Sequence, residues 1–209
     1  MRPLPPSFYA PSAEMVAPRL LGHWLIRNLP SGPSGGPIVE VEAYLAAEDP
    51  ASHAFGGQTP RNRTMFGPPG HAYVYLVYGF HFCVNAVCRR AGCAEAVLIR
   101  ALEAEAGLEA MQHNRPAATT FAVSNGPGKL CAALAIDRTL YGVDLCDAAS
   151  PLFIARNPEV GRFRRRRGPV ATSARIGITK AADLPLRFFL RGSQFLSRRV
   201  GAGAASSSE

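Results

Sequence analysis

The residues able to do chemistry fall into four short segments. Val39-Glu-Val-Glu-Ala-Tyr44 alternates apolar and polar side chains, and the period of two in a strand puts Glu40, Glu42 and Tyr44 on one face. Two carboxylates and a phenol on one face, followed by Glu48-Asp49 and His53, could take up and return protons. The same spacing also describes a solvent-facing sheet surface, the commoner fate of carboxylates. Tyr73-Val-Tyr-Leu-Val-Tyr78-Gly79-Phe80-His81-Phe82-Cys83-Val-Asn85 puts Tyr73 and Tyr75 on one face and gathers Tyr78, Phe80 and His81 around a glycine. Hairpin tips are usually Asn, Asp, Gly or Ser. Bulky aromatics there suit either a packed core hairpin or a wedge and stacking platform for bases.

Asn125-Gly-Pro-Gly-Lys129 has the look of a phosphate loop, but the Walker pattern needs glycine where this chain has Val123 and Ser or Thr where it has Leu130. Nucleotide-triphosphate hydrolysis is therefore excluded. A helix start beside Lys129 could still meet a backbone phosphate. Arg164 to Arg167 reads as a solvated loop or a DNA contact, because self-repulsion in such a run is relieved by an anion.

Charge points the same way. The chain is +8 overall, yet residues 156–199 carry eleven arginines and Lys180 against only Glu159 and Asp183. The remainder is slightly acidic. A basic segment on a near-neutral chain is an electrostatic footprint for a polyanion, with nucleic acid first and an anionic membrane surface second. The five cysteines form no Cys-x-x-Cys pair, so free thiols are expected and neither a disulfide framework nor a metal site is indicated. No apolar run approaches the length of a membrane span, and Met1-Arg-Pro-Leu-Pro-Pro lacks a long apolar core. The expectation is a cytoplasmic protein, nucleoid-associated or nuclear according to the cell.

The elements that must position these residues can be read coarsely. A short helix is expected over Ser12 to Ala17, a strand from Trp24, a Pro/Gly/Ser turn from Leu29 to Pro37, and a strand from Pro37 to Tyr44. Residues 45–70 form a long polar loop of the kind that is usually functional. Ala72 to Val87 reads as a hairpin broken at Gly79, Ala96 to Leu102 as a strand, and Ala104 to His113 as a helix. A helix should begin at Gly126-Pro127 and run to about Ala135. Short strands are expected over Pro151 to Ala155, Thr172 to Ile178 and Leu186 to Leu190. With 209 residues and 47% hydrophobic content, this is one α+β domain over residues 1–200. Its architecture is a mixed or antiparallel curved sheet, flanking helices and a protruding hairpin, with a disordered tail at 201–209.

Taken together, six segments resemble the alkyladenine (3-methylpurine) DNA glycosylase family in content and order. They are Ile38 to Leu45, Gln58 to Asn62, Tyr73 to Gly79, Leu98 to Glu103, Gly126 to Leu130 and Ala174 to Ile178, within a likeness running from about Arg19 to Ser193. The resemblance implies a cofactor-independent, monofunctional enzyme that works as a monomer on duplex DNA. It would flip out an alkylated or deaminated purine (3-methyladenine, 7-methylguanine, hypoxanthine or etheno-adenine class) and hydrolyse its N-glycosidic bond. By motif position Glu42 is the general base and Arg100 helps to hold the attacking water, with main chain at Arg175-Ile176 completing the shell. Tyr44, His53 and Tyr75 would sandwich the extruded base, and Asn85 would disfavour the exocyclic amine of normal guanine. Tyr78 would fill the vacated stack, with Phe80, His81, Arg61, Lys129, Arg164 and Arg165 on the DNA. The pair Phe80-His81 departs from the pairs other members carry at the tip. A non-catalytic nucleic-acid-binding module would share the basic segment and aromatic hairpin without needing Glu42 and Arg100. An enzyme of free nucleotides would not need the basic segment.

Overall fold

The computed structural model describes residues 1–198, so the expected disordered tail at 201–209 lies outside the described residues. After a single helical turn, α1 (Pro6–Tyr9), Ser12 caps α2 (Ala13–Leu20) by accepting the Met15 N–H on its hydroxyl. The helix turns Ala13, Val16, Ala17 and Leu20 inward. Strands β1 (Trp24–Leu29), β2 (Gly32–Tyr44), β3 (Ala72–Val77), β4 (His81–Cys88) and β5 (Glu95–Leu102) follow. Helices α3 (Leu108–Asn114) and α4 (Pro127–Ala133), strand β6 (Leu152–Ala155), helix α5 (Val160–Arg167) and strands β7 (Val170–Ser173) and β8 (Arg187–Leu190) complete the chain.

Every strand pairing is antiparallel, in the order β3-β4-β5-β2-β1-β6, with β8 joining β2 to β7. The expected α+β class is the observed one. Strand β2 organises the site. Along one edge it meets β1 over Gly32 to Pro37 and then β8 over Glu40 to Glu42, while β5 runs along the other edge from Ile38. Glu40 and Glu42 therefore sit where β2 is flanked by strands on both sides, and register shifts on either side of Glu40 re-aim the strand there. The main core, including Leu20, Leu25, Val41, Val84, Ile99 and Phe189, joins the helices to the sheet. A smaller cluster of Met65, Tyr73, Val87 and Ala96 seats the long 45–70 loop.

Some local expectations need correction. The turn at Leu29 to Pro37 is mostly strand, because β2 starts at Gly32. Gly35 and Gly36 serve close approach rather than turning: a Cβ on Gly36 would lie 1.7 Å from the Glu103 carbonyl oxygen. The strand expected over Thr172 to Ile178 stops at Ser173, since Arg175 leaves the sheet to reach Asp49. The arginine run is no loop but the end of α5. The expected helix at Ala104 begins only at Leu108, after Glu105 and Ala106 have bonded back to Gly35.

Candidate active site

Arg100 on β5 ties the two carboxylates of β2 together. Its Nε donates to Glu40 Oε1 at 2.8 Å, and its Nη1 lies 3.1 Å from Glu42 Oε1. Both glutamates are fully buried, which corrects the solvent-facing reading of this strand face. Spacing could not show it, because the covering includes Arg187 on β8 and Ser197, which lie 147 and 157 residues along the chain from Glu40.

The two carboxylates have different surroundings. Glu40 accepts from Arg100, from Arg187 Nε at 2.8 Å, and from the Ser197 N–H and hydroxyl, each at 2.6 Å. Burial alone would raise its carboxyl, but the Arg100 charge, Arg187 and Ser197 outweigh this and hold it below the usual range. Its lone pairs are taken up by Arg100, Arg187 and Ser197, and it plays a structural part in the strand-face cluster. Glu42 accepts the Tyr44 hydroxyl on Oε2 at 2.9 Å and the Ile176 N–H on Oε1 at 2.7 Å. All three of its partners (Tyr44, Arg100 and Ile176) line a cavity of about 360 Å³. That volume is in the range of small-molecule sites, about 300–1,000 Å³. Burial, then the Glu42 charge, pushes the Tyr44 phenol far up, so it is a permanent donor. Arg100 is held cationic because the two glutamates outweigh its desolvation.

A second buried ion pair fixes this arrangement. Asp49 and Arg175 have fully buried side chains, and Arg175 Nη2 donates to Asp49 Oδ1 at 2.8 Å. Asp49 also accepts the N–H groups of Leu45 and Ala51, while Arg175 donates to the Ala43 carbonyl and lies 4.7 Å from the Tyr44 ring centre. Asp49 is thus a clamp and not a member of the acid/base set, a correction to its place in the sequence cluster. It joins the 45–57 loop, the end of β2 and the Ile176 segment.

Aromatic side chains form the cavity walls. Tyr73 and Tyr75 stack at 5.2 Å with 23° between planes, as their shared strand face predicts. His53 meets Tyr75 edge to face at 4.4 Å and holds Tyr73 Oη 2.8 Å from its Nδ1. Burial, then the Arg61 charge, lowers His53, leaving it neutral. Since His53 and Tyr75 touch, no flat group fits between them; both line the cavity, as does Tyr44. Asn85 is 4% exposed, lines the cavity and donates from Nδ2 to the Tyr73 carbonyl at 3.1 Å. Met65, Cys83, Gly177 and Ile178 also line it, and nothing in the local sequence marks them beyond the motif that contains the last two. Burial pushes the Cys83 thiol up to about 11, so it is an unreactive wall.

The hairpin tip borders the cavity through Val77 and Tyr78. Tyr78 and Gly79 both have positive φ, 53° and 79°, and the Phe80 N–H bonds back to the Val77 carbonyl. A non-glycine residue with positive φ is uncommon, and for a bulky side chain it is strained. The turn holds Tyr78 and Phe80 in solvent at 78% and 69% exposure, which removes the core-hairpin alternative. His81 packs beside Phe80 at 4.2 Å and against Gly128 at the start of α4. Arg61 donates to the Leu76 carbonyl, and Lys129 to Asn125 Oδ1, close to the same rim.

The arginine run divides by role. Arg164 donates to the carbonyls of Leu21, Pro18 and Arg19, and Arg167 forms a bidentate pair with buried Glu103. Arg164 is therefore chiefly a structural tie between α5 and the end of α2, with only its Nη1 left for an anion among the described residues. Arg165 and Arg166 are exposed and make no side-chain hydrogen bond among the described residues. All five cysteines are free thiols, as expected. No helix of the described residues is long and apolar enough to cross a membrane.

Comparison with known proteins adds independent findings. The family model for methylpurine-DNA glycosylase matches residues 7–194. A protein provisionally named 3-methyladenine DNA glycosylase from Methanoculleus marisnigri is 47% identical over 196 residues, covering 94% of this chain and 99% of that one. Similarly named proteins from Rhodopseudomonas palustris and Bradyrhizobium diazoefficiens are 50% and 46% identical. They cover 92% and 94% of this chain, and 89% and 92% of their own lengths.

Proposed function

This chain belongs to the methylpurine-DNA glycosylase family, and on that premise we propose that it hydrolyses the bond between a damaged purine and deoxyribose, with Glu42 as base. The observation that carries the reading is the surroundings of Glu42: one buried carboxylate whose three partners all line a single aromatic cavity. A purine turned out of the duplex enters that cavity, with Tyr44 as one wall and His53 and Tyr75 as the other, so ring contacts replace the stacking given up in the helix. The lesion class is an alkylated or deaminated purine. A ring-alkylated purine is already cationic and departs as a neutral base, so the bond pair goes to its ring nitrogen without a protein acid.

As the glycosidic bond breaks, positive charge develops on the sugar and the nearby carboxylate stabilises it. Water attacks C1′ and gives its proton to Glu42. Arg100 and the Ile176 N–H fix the carboxylate's orientation and bracket the water's position. Asn85 presents a fixed amide at the cavity floor and disfavours the exocyclic amine of undamaged guanine. Neither lysine lines the cavity, which supports water over an amine as nucleophile and a monofunctional reaction. Duplex DNA is contacted by Tyr78, Phe80 and His81 at the tip, by Arg61 and Lys129 near it, and by Arg165 and Arg166 at the end of α5.

The test is direct. Incubation with duplex DNA carrying a single ring-alkylated purine should release the free base and leave an abasic strand that alkali cleaves. Binding without release at any enzyme excess would overturn the reading in favour of a non-catalytic module.

A further inference from the structure

A second built cavity lies at the other end of the sheet. Strands β1 and β6 stand opposite the β3–β4 hairpin in the strand order, and beside them a cavity of about 380 Å³ is lined by Arg19, His23, Arg156 and Arg164. No carboxylate lines it among the described residues. His23 is 8% exposed, and its Nδ1 accepts the Asn157 N–H at 3.1 Å. That bond fixes the neutral tautomer with hydrogen on Nε2, which has no protein partner among the described residues. Burial, followed by the Arg164, Arg156 and Arg19 charges, pushes His23 down to about 4, so at neutral pH it is an uncharged donor among cations.

Two of the cations are held in place. Arg19 lies 4.9 Å from the Phe8 ring centre, and Phe8 meets His23 edge to face at 5.7 Å. Arg164 commits Nε and Nη2 to main-chain carbonyls, leaving Nη1 without a partner among the described residues. Arg156 is exposed at the mouth. A neutral imidazole N–H set among three guanidiniums is a donor set for phosphate oxygens.

What adjoins it narrows the ligand. A mainly apolar cavity of about 460 Å³ shares Arg156, Asn157 and Pro158 with the first and contains Trp24, the only tryptophan in the chain. Trp24 packs on Ile26, Phe153 and Ala155 but is only half-buried. We infer that these joined cavities bind a nucleotide, its phosphate among Arg19, His23, Arg156 and Arg164 and its base against Trp24. The nucleotide is either free or part of a DNA strand. The inference does not depend on the catalytic reading, since it shares no residue with the Glu42 cavity.

Trp24 provides the readout. Its fluorescence is followed while the full chain is titrated with deoxyadenosine monophosphate, deoxyadenosine, inorganic phosphate or a short single-stranded oligonucleotide. His23 ring nitrogen shifts are followed in parallel by NMR. The monophosphate should give saturable quenching and move the His23 signals. Deoxyadenosine should bind at least tenfold more weakly, as should the monophosphate to the Arg19→Gln/Arg156→Gln double variant, whose changed side chains are both exposed. An oligonucleotide at least tenfold tighter than the monophosphate would assign the site to a DNA strand, and equal affinity to a free nucleotide. Absence of saturable quenching, equal binding of the nucleoside, or unchanged affinity in the double variant would overturn the inference. So would phosphate moving His23 while the monophosphate leaves Trp24 unchanged.

Discussion

Replacing Asp49 by Asn keeps the side chain's shape but strands the Arg175 guanidinium. Both side chains are fully buried, and Asp49 is the only carboxylate that Arg175 contacts among the described residues. Breaking a buried pair by removing one charge costs about 3–5 kcal/mol. For a chain of this size each kcal/mol moves the melting temperature by about 2–4 °C, so Asp49→Asn should melt roughly 6–20 °C below the parent. The same clamp positions Ile176, the N–H donor to Glu42, and sets the Arg175 guanidinium against the Tyr44 ring. Single-turnover base release, measured well below the variant's melting point, should therefore fall by about tenfold or more, because small misplacements at a reacting centre are costly. Adding Arg175→Met removes the stranded charge and should recover most of the melting temperature without recovering the rate. The readings are thermal unfolding by circular dichroism and single-turnover kinetics on alkylated duplex. An Asp49→Asn protein that melts within about 2 °C of the parent would refute the clamp, taking that shift as under 1 kcal/mol. Full recovery of the rate in the double variant would refute its link to the site.

Tyr78→Ala should reduce cleavage in duplex far more than in an unpaired site, with less enhanced fluorescence from a base analogue beside the lesion; equal reductions would remove the wedge. Arg165→Gln with Arg166→Gln should weaken all duplexes alike and flatten the salt dependence by about one unit of slope for each phosphate no longer neutralised. Arg164→Gln should instead lower the melting temperature, with a smaller effect on that slope; the reverse pattern would exchange their roles. For pH, Glu40 and Asp49 sit below their ordinary range, so their stabilisation is present above about pH 4 and lost as pH falls below it. His23, neutral in the fold and lowered from 6.5 to about 4, stabilises fully above pH 6.5 and loses that contribution as pH falls toward 4. The melting temperature should decline in two stages on acidification; His53 is lowered as well and shares the upper one, so His23→Phe should shrink that stage, and an unchanged upper stage would show that His23 does not contribute to it.

The chemistry of β2 was legible because strand alternation needs only local sequence, and Glu42, Tyr44 and Arg100 do converge. Their burial was not legible, since it depends on Arg187 and Ser197 arriving from the far end of the chain. The unequal roles of Glu40 and Glu42 follow from those same partners. Arg164 to Arg167 read as uniform charge, yet two of the four are committed to carbonyls at Pro18 to Leu21 and to Glu103, ties that no local pattern encodes. Gly35 and Gly36 looked like turn residues because close approach and turning select the same amino acid. The aromatic hairpin could be recognised by composition, while the positive φ that exposes Tyr78 is a property of the folded turn.

The most direct test of the central claim is single-turnover release of a ring-alkylated purine by Glu42→Gln beside the parent protein. Glutamine can keep its oxygen for the Ile176 N–H while its amide N–H turns to the Tyr44 hydroxyl oxygen, but it cannot take the water's proton. Lesion duplex should bind within about threefold of the parent, while the rate falls by about 10² or more. A rate close to that of the parent, with binding intact, would contradict the account and place the base elsewhere in the cavity.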